Sequence, residues 1–92
     1  MRLSRQHRAA IATSKVFLCL VTPDWQGAPL CQEEARYAAQ LQKPFFVFVW
    51  PGVRLAEDAF QGVRDLRMAS LTEPLDAAMI AAQIQDWLEA QD

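Results

Sequence analysis

The chain is poor in the residues that most catalytic and nucleotide-binding signatures are built from. It has one histidine, His7, which leaves a catalytic triad or a histidine metal site almost nothing to stand on. Its three glycines fall in neither a G-x-G-x-x-G nor a Walker spacing, so dinucleotide-Rossmann and P-loop readings drop out. Two cysteines, Cys19 and Cys31, make neither a disulfide framework nor a metal pattern, and a reducing, cytoplasmic setting follows as the expectation. Cys19 sits inside an apolar run and reads as a small buried hydrophobe. The longest apolar run, VFLCLV, is too short to span a bilayer, and the charged N-terminus has no apolar stretch of the signal-peptide kind. No membrane partner is expected. A net charge of −2 argues against nucleic acid as well. Acids are absent from residues 1–15, which hold Arg2, Arg5, Arg8 and Lys15, and this basic stripe reads as the solvated side of a helix.

What the chain does have is apolar mass. Hydrophobic residues make up 52% of its 92 positions and charged ones 22%, which fits one ordered domain with its own core. At this length the net stability should be on the order of 5 kcal/mol. Two runs, KVFLCLVT (15–22) and PFFVFVW (44–50), do not alternate apolar with polar, and they read as strands of a parallel sheet buried on both faces. Phe45, Phe46, Phe48 and Trp50 are expected in the core. Parallel strands need a long crossover, and residues 29–42 supply a helical pattern for a right-handed βαβ unit. A weaker strand is predicted at LRMAS (66–70), beyond a long connection that opens with a Pro51-Gly52 turn. A helix is predicted over 74–91, with Thr72 or Glu73 near its cap and Pro74 in its first turn. Its stripe of Ala77, Ile80, Ile84, Trp87 and Leu88 should pack on the sheet. A shorter helix over 4–14 precedes the first strand. The expected order is α-β-α-β-α-β-α, an open α/β sheet of about three parallel strands with helices on both faces.

One acid breaks the pattern. On a wheel with Leu30 at 0°, the residues Leu30, Cys31, Ala35, Tyr37, Ala38, Ala39 and Leu41 occupy an arc from about 340° to 180°, and Glu34 falls near 40°, inside it. Glu33 lies on the solvated side. If the helix begins beyond the sheet edge, Glu34 is a first-turn carboxylate favoured by the helix dipole. The functional reading rests on location: open α/β sheets bind ligands outside the carboxyl ends of their strands, where the loops TPDWQGAP, Trp50-Pro51-Gly52 and Ser70-Leu71-Thr72 gather. A partly buried carboxylate there can orient a hydroxyl or stabilise a developing cation. Trp25, in the first of these loops, is placed to wall a ligand or to plug a partner's groove.

Residues 8–50 resemble the middle of a TIR (Toll/interleukin-1 receptor) domain. Ile11 and Ser14 match its "I..S" element, Thr22-Pro23 and Trp25 the strand end, Cys31 and Glu34 its "C..E", and Lys43-Pro44 the approach to the next strand. The resemblance implies a flavodoxin-like fold and one of two functions. Some TIR domains are signalling assembly modules, which here would mean a homo-oligomer or a TIR-containing partner. Others cleave NAD⁺ at the nicotinamide–ribose bond, with a glutamate at the position of Glu34. The resemblance then implies Glu34 as the catalytic carboxylate, with Thr22, Asp24, Trp25, Cys31 and Trp50 around the substrate. NAD⁺ would be substrate rather than resident cofactor, with no metal. An oxocarbenium-like transition state does require a nearby carboxylate. The chain departs from the family at Leu30, where a Trp is usual, and at Ala28, where a Ser is. The family's first strand, first helix and the loop after its second strand have no counterpart in these residues. The match is therefore to an incomplete TIR-like domain, about two-thirds of the fold, with part of a site and an open edge on the first strand. Nucleoside 2-deoxyribosyltransferases, which share the layout and a helix-borne glutamate, are the remaining rival.

Overall fold

A computed structural model describes residues 3–25, 29–56 and 58–91. Arg2, residues 26–28 and the side chain of Leu30 therefore lie outside the described residues. The elements run α1 (Arg5–Thr13), β1 (Phe17–Val21), α2 (Pro29–Gln40), β2 (Phe45–Val49), β3 (Leu66–Ser70) and α3 (Ala77–Glu89). The three strands form one parallel, flavodoxin-like open sheet in the order β1-β2-β3. Its register aligns Phe17, Phe45 and Leu66 across the sheet, and Leu20, Phe48 and Ala69 three residues further on.

Strand β2 is the centre. All five of its residues are buried, because it alone has a neighbour on each side and a cover on each face. Phe45, Val47 and Val49 point into a core shared with Ile11 of α1, Cys19 and Val21 of β1, and Ala35 and Ala38 of α2. On the opposite face Trp87 of α3 covers Phe46 edge-on and stacks on Phe48, with ring centroids 5.2 Å apart in each pair. Monotonic strand order with right-handed crossovers puts α2 and the β2–β3 connection on one face of the sheet. One flank of α2, through Gln32 and Arg36, looks toward that connection, so α1, which also packs on α2, sits over the β1 side.

The local chemistry explains the element ends. Ser4 caps α1, its hydroxyl accepting from the His7 N–H at 3.1 Å. The other end of α1 is held by Lys43, whose Nζ donates to the carbonyls of Ala12 and Ser14, both at 2.8 Å. A cation there meets the negative end of the helix dipole. Helix α2 closes with paired bonds from the Gln42 N–H to the Ala39 carbonyl and from the Lys43 N–H to the Ala38 carbonyl. This is a Schellman motif, and it places Gln42 at φ 59°, where glycine is the usual occupant. The turn at Trp50-Pro51-Gly52-Val53 closes as expected, with the Val53 N–H donating to the Trp50 carbonyl at 3.1 Å and Gly52 at φ 80°.

Several expectations are corrected. The connection from β2 to β3 holds no helix among its described residues; it is a series of turns, opened at Gly52 and again at Gly62, both with positive φ. Strand β1 is buried on one face only. Leu18 and Leu20 are 53% and 47% exposed, because α3 lies over β2 and leaves the back of β1 bare. The cap of α3 is Asp76, not Thr72 or Glu73: its carboxylate accepts from the Ala78 and Met79 N–H groups, and Pro74 precedes the helix. Of the α3 stripe, Ile80, Ile84 and Trp87 are half-buried, while Ala77 and Leu88 are exposed. Leu41 also emerges exposed, since the helix has ended before it.

The two faces of the sheet should therefore respond differently to truncation. Phe46→Ala is expected to cost about 3–5 kcal/mol, enough to leave little folded protein, and Leu18→Ala less than about 1 kcal/mol, both read from urea unfolding. Gln42→Gly should gain about 0.5–1 kcal/mol by relieving the left-handed backbone at the end of α2.

Candidate functional site

The residues singled out by sequence lie around the carboxyl end of β1. Thr22 follows the strand, and its carbonyl accepts the Trp25 N–H at 3.0 Å, turning the chain out of the sheet. Asp24 is exposed at the tip of that turn. Trp25 folds back into the core, with its ring centroid 5.5 Å from that of Phe60. Trp25 is thus first a packing residue. One edge of it still lines a cavity, so the ligand-wall reading is narrowed to that surface.

Helix α2 begins at Pro29, which suits its first position because proline has no N–H to leave unpaired there. That start puts both Glu33 and Glu34 in the second turn, and the first turn carries no acid. The helix-dipole account of Glu34 falls with this, because the effect fades beyond the first turn. Glu33 lies on the solvated side as expected and pairs with Arg36 at 3.2 Å. Glu34 is half-buried, and among the described residues no hydrogen bond or ion pair holds it. Its neighbours toward the sheet are the two thiols: Cys31, packed against the core, and Cys19, buried in β1.

This small cluster has one clear electrostatic signature. The Cys19 thiol is pushed up from its ordinary value of 9.0 to about 12. Burial is the main cause, followed by the neighbouring Cys31; the Trp25 indole works against them, and Glu34 adds a smaller upward push. Cys19 is therefore an inert, neutral thiol rather than a nucleophile. Trp50 is half-buried at the end of β2, its N–H donating to the Val21 carbonyl at 2.9 Å. The structure so brings Trp25, Cys31 and Glu34 around Cys19, with Thr22 at the strand end. Asp24 points to solvent, and Trp50 ends the adjacent strand.

Described residues also line cavities. One, about 280 Å³, runs along the flank of α2 beneath the β2–β3 connection, between Gln32, Ala35, Arg36, Trp25, Phe45 and Phe60. A second, about 170 Å³, opens between the end of β3 and the start of α3, around Ser70, Thr72 and Asp76. The sequence reading passed over the first of these. Its one visible signal is Phe60, a lone aromatic in a polar connection, which packs on both Trp25 and Phe45. Among the described residues no group of His, Cys, Asp and Glu is arranged to hold a metal ion. Nor is any described helix long and apolar enough to cross a membrane. No protein-family model matches the chain, and no curated protein and no solved structure matches it either.

The cluster makes a pH prediction. Below pH 9 the folded and unfolded chains both keep the Cys19 proton, and this group adds no slope. Between about 9.0 and 12 the unfolded chain loses it while the folded chain keeps it, so stability falls as pH rises, by at most about 1.4 kcal/mol per pH unit. Urea midpoints measured across this range should fall more steeply for the wild type than for Cys19→Ala. At neutral pH a thiol reagent should label Cys31 first, with Cys19 reacting only on unfolding.

Proposed function

We propose that the chain is a TIR-like interaction module that works by presenting the β1 edge of its sheet to a protein partner. One observation carries this reading: β1 is an edge strand whose outward backbone groups belong to Leu18 and Leu20, the same residues whose side chains are bare. The Phe17 N–H donates to Pro44 and the Val21 carbonyl accepts from Trp50, so the odd residues of β1 face β2 and the even ones face outward. Long apolar edges are avoided by monomeric proteins and used by assembling ones. The ordered TIR-type residues from Ile11 to Pro44 support the same reading through resemblance, and the parallel three-strand sheet is compatible with it.

A second reading, NAD⁺ cleavage with Glu34 as the catalytic carboxylate, is favoured by one feature. Glu34 is half-buried and, among the described residues, without an ion pair, on the helix that follows the carboxyl end of β1. A carboxylate so placed is available to stabilise an oxocarbenium-like charge. The interaction reading is preferred because it rests on the exposed Leu18 and Leu20 of an outer strand.

Two measurements separate the readings. Incubated with NAD⁺, the chain is expected to release little or no nicotinamide, at a rate unchanged by Glu34→Ala; robust release abolished by that change would establish the enzymatic reading instead. In sedimentation velocity the wild type is expected to self-associate at micromolar concentration. The double change Leu18→Lys and Leu20→Lys should weaken that association while shifting stability by less than about 1 kcal/mol, since both side chains are already half in water. A wild type that stays monomeric throughout would remove the self-association on which the interaction reading rests.

A further inference from the structure

Four alanines leave a space beneath the β2–β3 connection. Ala35 and Ala39 lie one turn apart on α2, Ala56 and Ala59 lie on the connection, and all four line the cavity of about 280 Å³. A larger side chain at either pair would fill it, as packing in protein interiors ordinarily does. The remaining apolar walls are mostly rings. Trp25 arrives from the turn after β1, Phe45 from β2 and Phe60 from the connection. The Phe60 centroid lies 5.5 Å from that of Trp25 and 6.0 Å from that of Phe45. The turn that carries Phe60 closes from the Val63 N–H to the Phe60 carbonyl at 3.2 Å, with Gly62 at φ 88°.

We propose that this cavity is a binding site for a neutral, planar aromatic molecule of one or two fused rings. The ligand is held between the alanine flank of α2 and the rings of Trp25, Phe45 and Phe60. Size sets the upper bound: an apolar cavity of about 150 Å³ takes up benzene, so 280 Å³ admits a fused pair of rings and little more. Shape follows from the walls, because methyl groups on a helix flank make a flat surface and three rings offer edge-to-face and offset contacts.

Charge selects a neutral ligand. Among the described lining residues Arg36 is the charged one, and Glu33 already holds its guanidinium at 3.2 Å. Its apolar stem remains to cover the ligand. Gln32 and Gln61 bring amides, which hydrogen-bond a ring substituent without adding charge. An ion entering this site would leave water without gaining an unpaired countercharge among the described residues. The site is separate from the carboxylate discussed above. Its α2 flank, through Gln32, Ala35, Arg36 and Ala39, lies about 150° round the helix from Glu34. It is equally independent of the β1 edge.

Indole is a suitable probe. Titrated into the full chain, it should shift the methyl resonances of Ala35, Ala39 and Ala59 by ring currents, with a saturating Kd below about 1 mM. The urea midpoint should rise with indole concentration. Ala39→Leu fills the cavity from the helix, and in a chain still folded by circular dichroism it should weaken binding at least about tenfold. Ala59→Leu repeats the test from the connection if the first variant does not fold, and intermolecular NOEs to the alanine methyls locate indole in the wild type. Cyclohexylmethanol, neutral but saturated, and indole-3-carboxylate, aromatic but charged, should each bind at least about tenfold more weakly than indole. Absence of saturable indole binding overturns the site. Undiminished binding in a folded, filled variant, or NOEs to other methyls, overturns its location. Equal or tighter binding of either comparison compound overturns the ligand class.

Discussion

Everything in this structure is placed by β2, because it is the one strand that must be dry on both faces and bonded on both edges. Five consecutive apolar residues, Phe45 to Val49, have no hydrophilic side to turn to water. The core of α1, β1 and α2 satisfies the face of Phe45, Val47 and Val49, and Trp87 satisfies the face of Phe46 and Phe48. The neighbouring strands inherit only what is left. Each is covered on the face that happens to lie near a helix and bare on the other, which is why the exposed leucines of β1 and the exposed Leu66 and Met68 of β3 appear on opposite sides.

The strands and the crossover helix were legible because they depend on local pattern. An apolar run bounded by turn residues has one economical solution in water, and the match at LRMAS is complete even though its signal was weak. What was not legible depends on tertiary neighbours. VFLCLV and FFVFVW look alike as sequence, yet β1 is half in water, since burial is set by where α3 lands rather than by the strand's own residues. The cap of α3 went to Asp76 because a short carboxylate two and three residues ahead of free N–H groups competes well with Thr72 or Glu73. The connection after β2 was expected to be helical, but two glycines in left-handed conformation break it into turns.

The candidate site was legible in part, for the same reason. Periodicity alone put Glu34 among apolar neighbours, and the structure finds it half-buried beside Cys19 and Cys31. By sequence Trp25 is a loop aromatic, but the turn at Thr22 directs it inward, where its ring packs on Phe60. In the sequence Lys43 is marked only by the proline that follows it. Its work is at the far end of another element, closing the carbonyls of α1 from 29 and 31 residues away, a contact that no local pattern announces.

The cover on the back of the sheet is fastened differently from the rest. No residue of α3 is buried, and its aromatic grip on β2 is the single indole of Trp87, set against two phenylalanine rings. A helix held so lightly opens by local unfolding well before the sheet does, and its amides exchange with solvent at a free energy far below that of the whole domain. Each opening bares Phe46 and Phe48 beside the already bare Leu18 and Leu20. The apolar surface on that side is therefore a fluctuating quantity, set by the lifetime of one stacked ring.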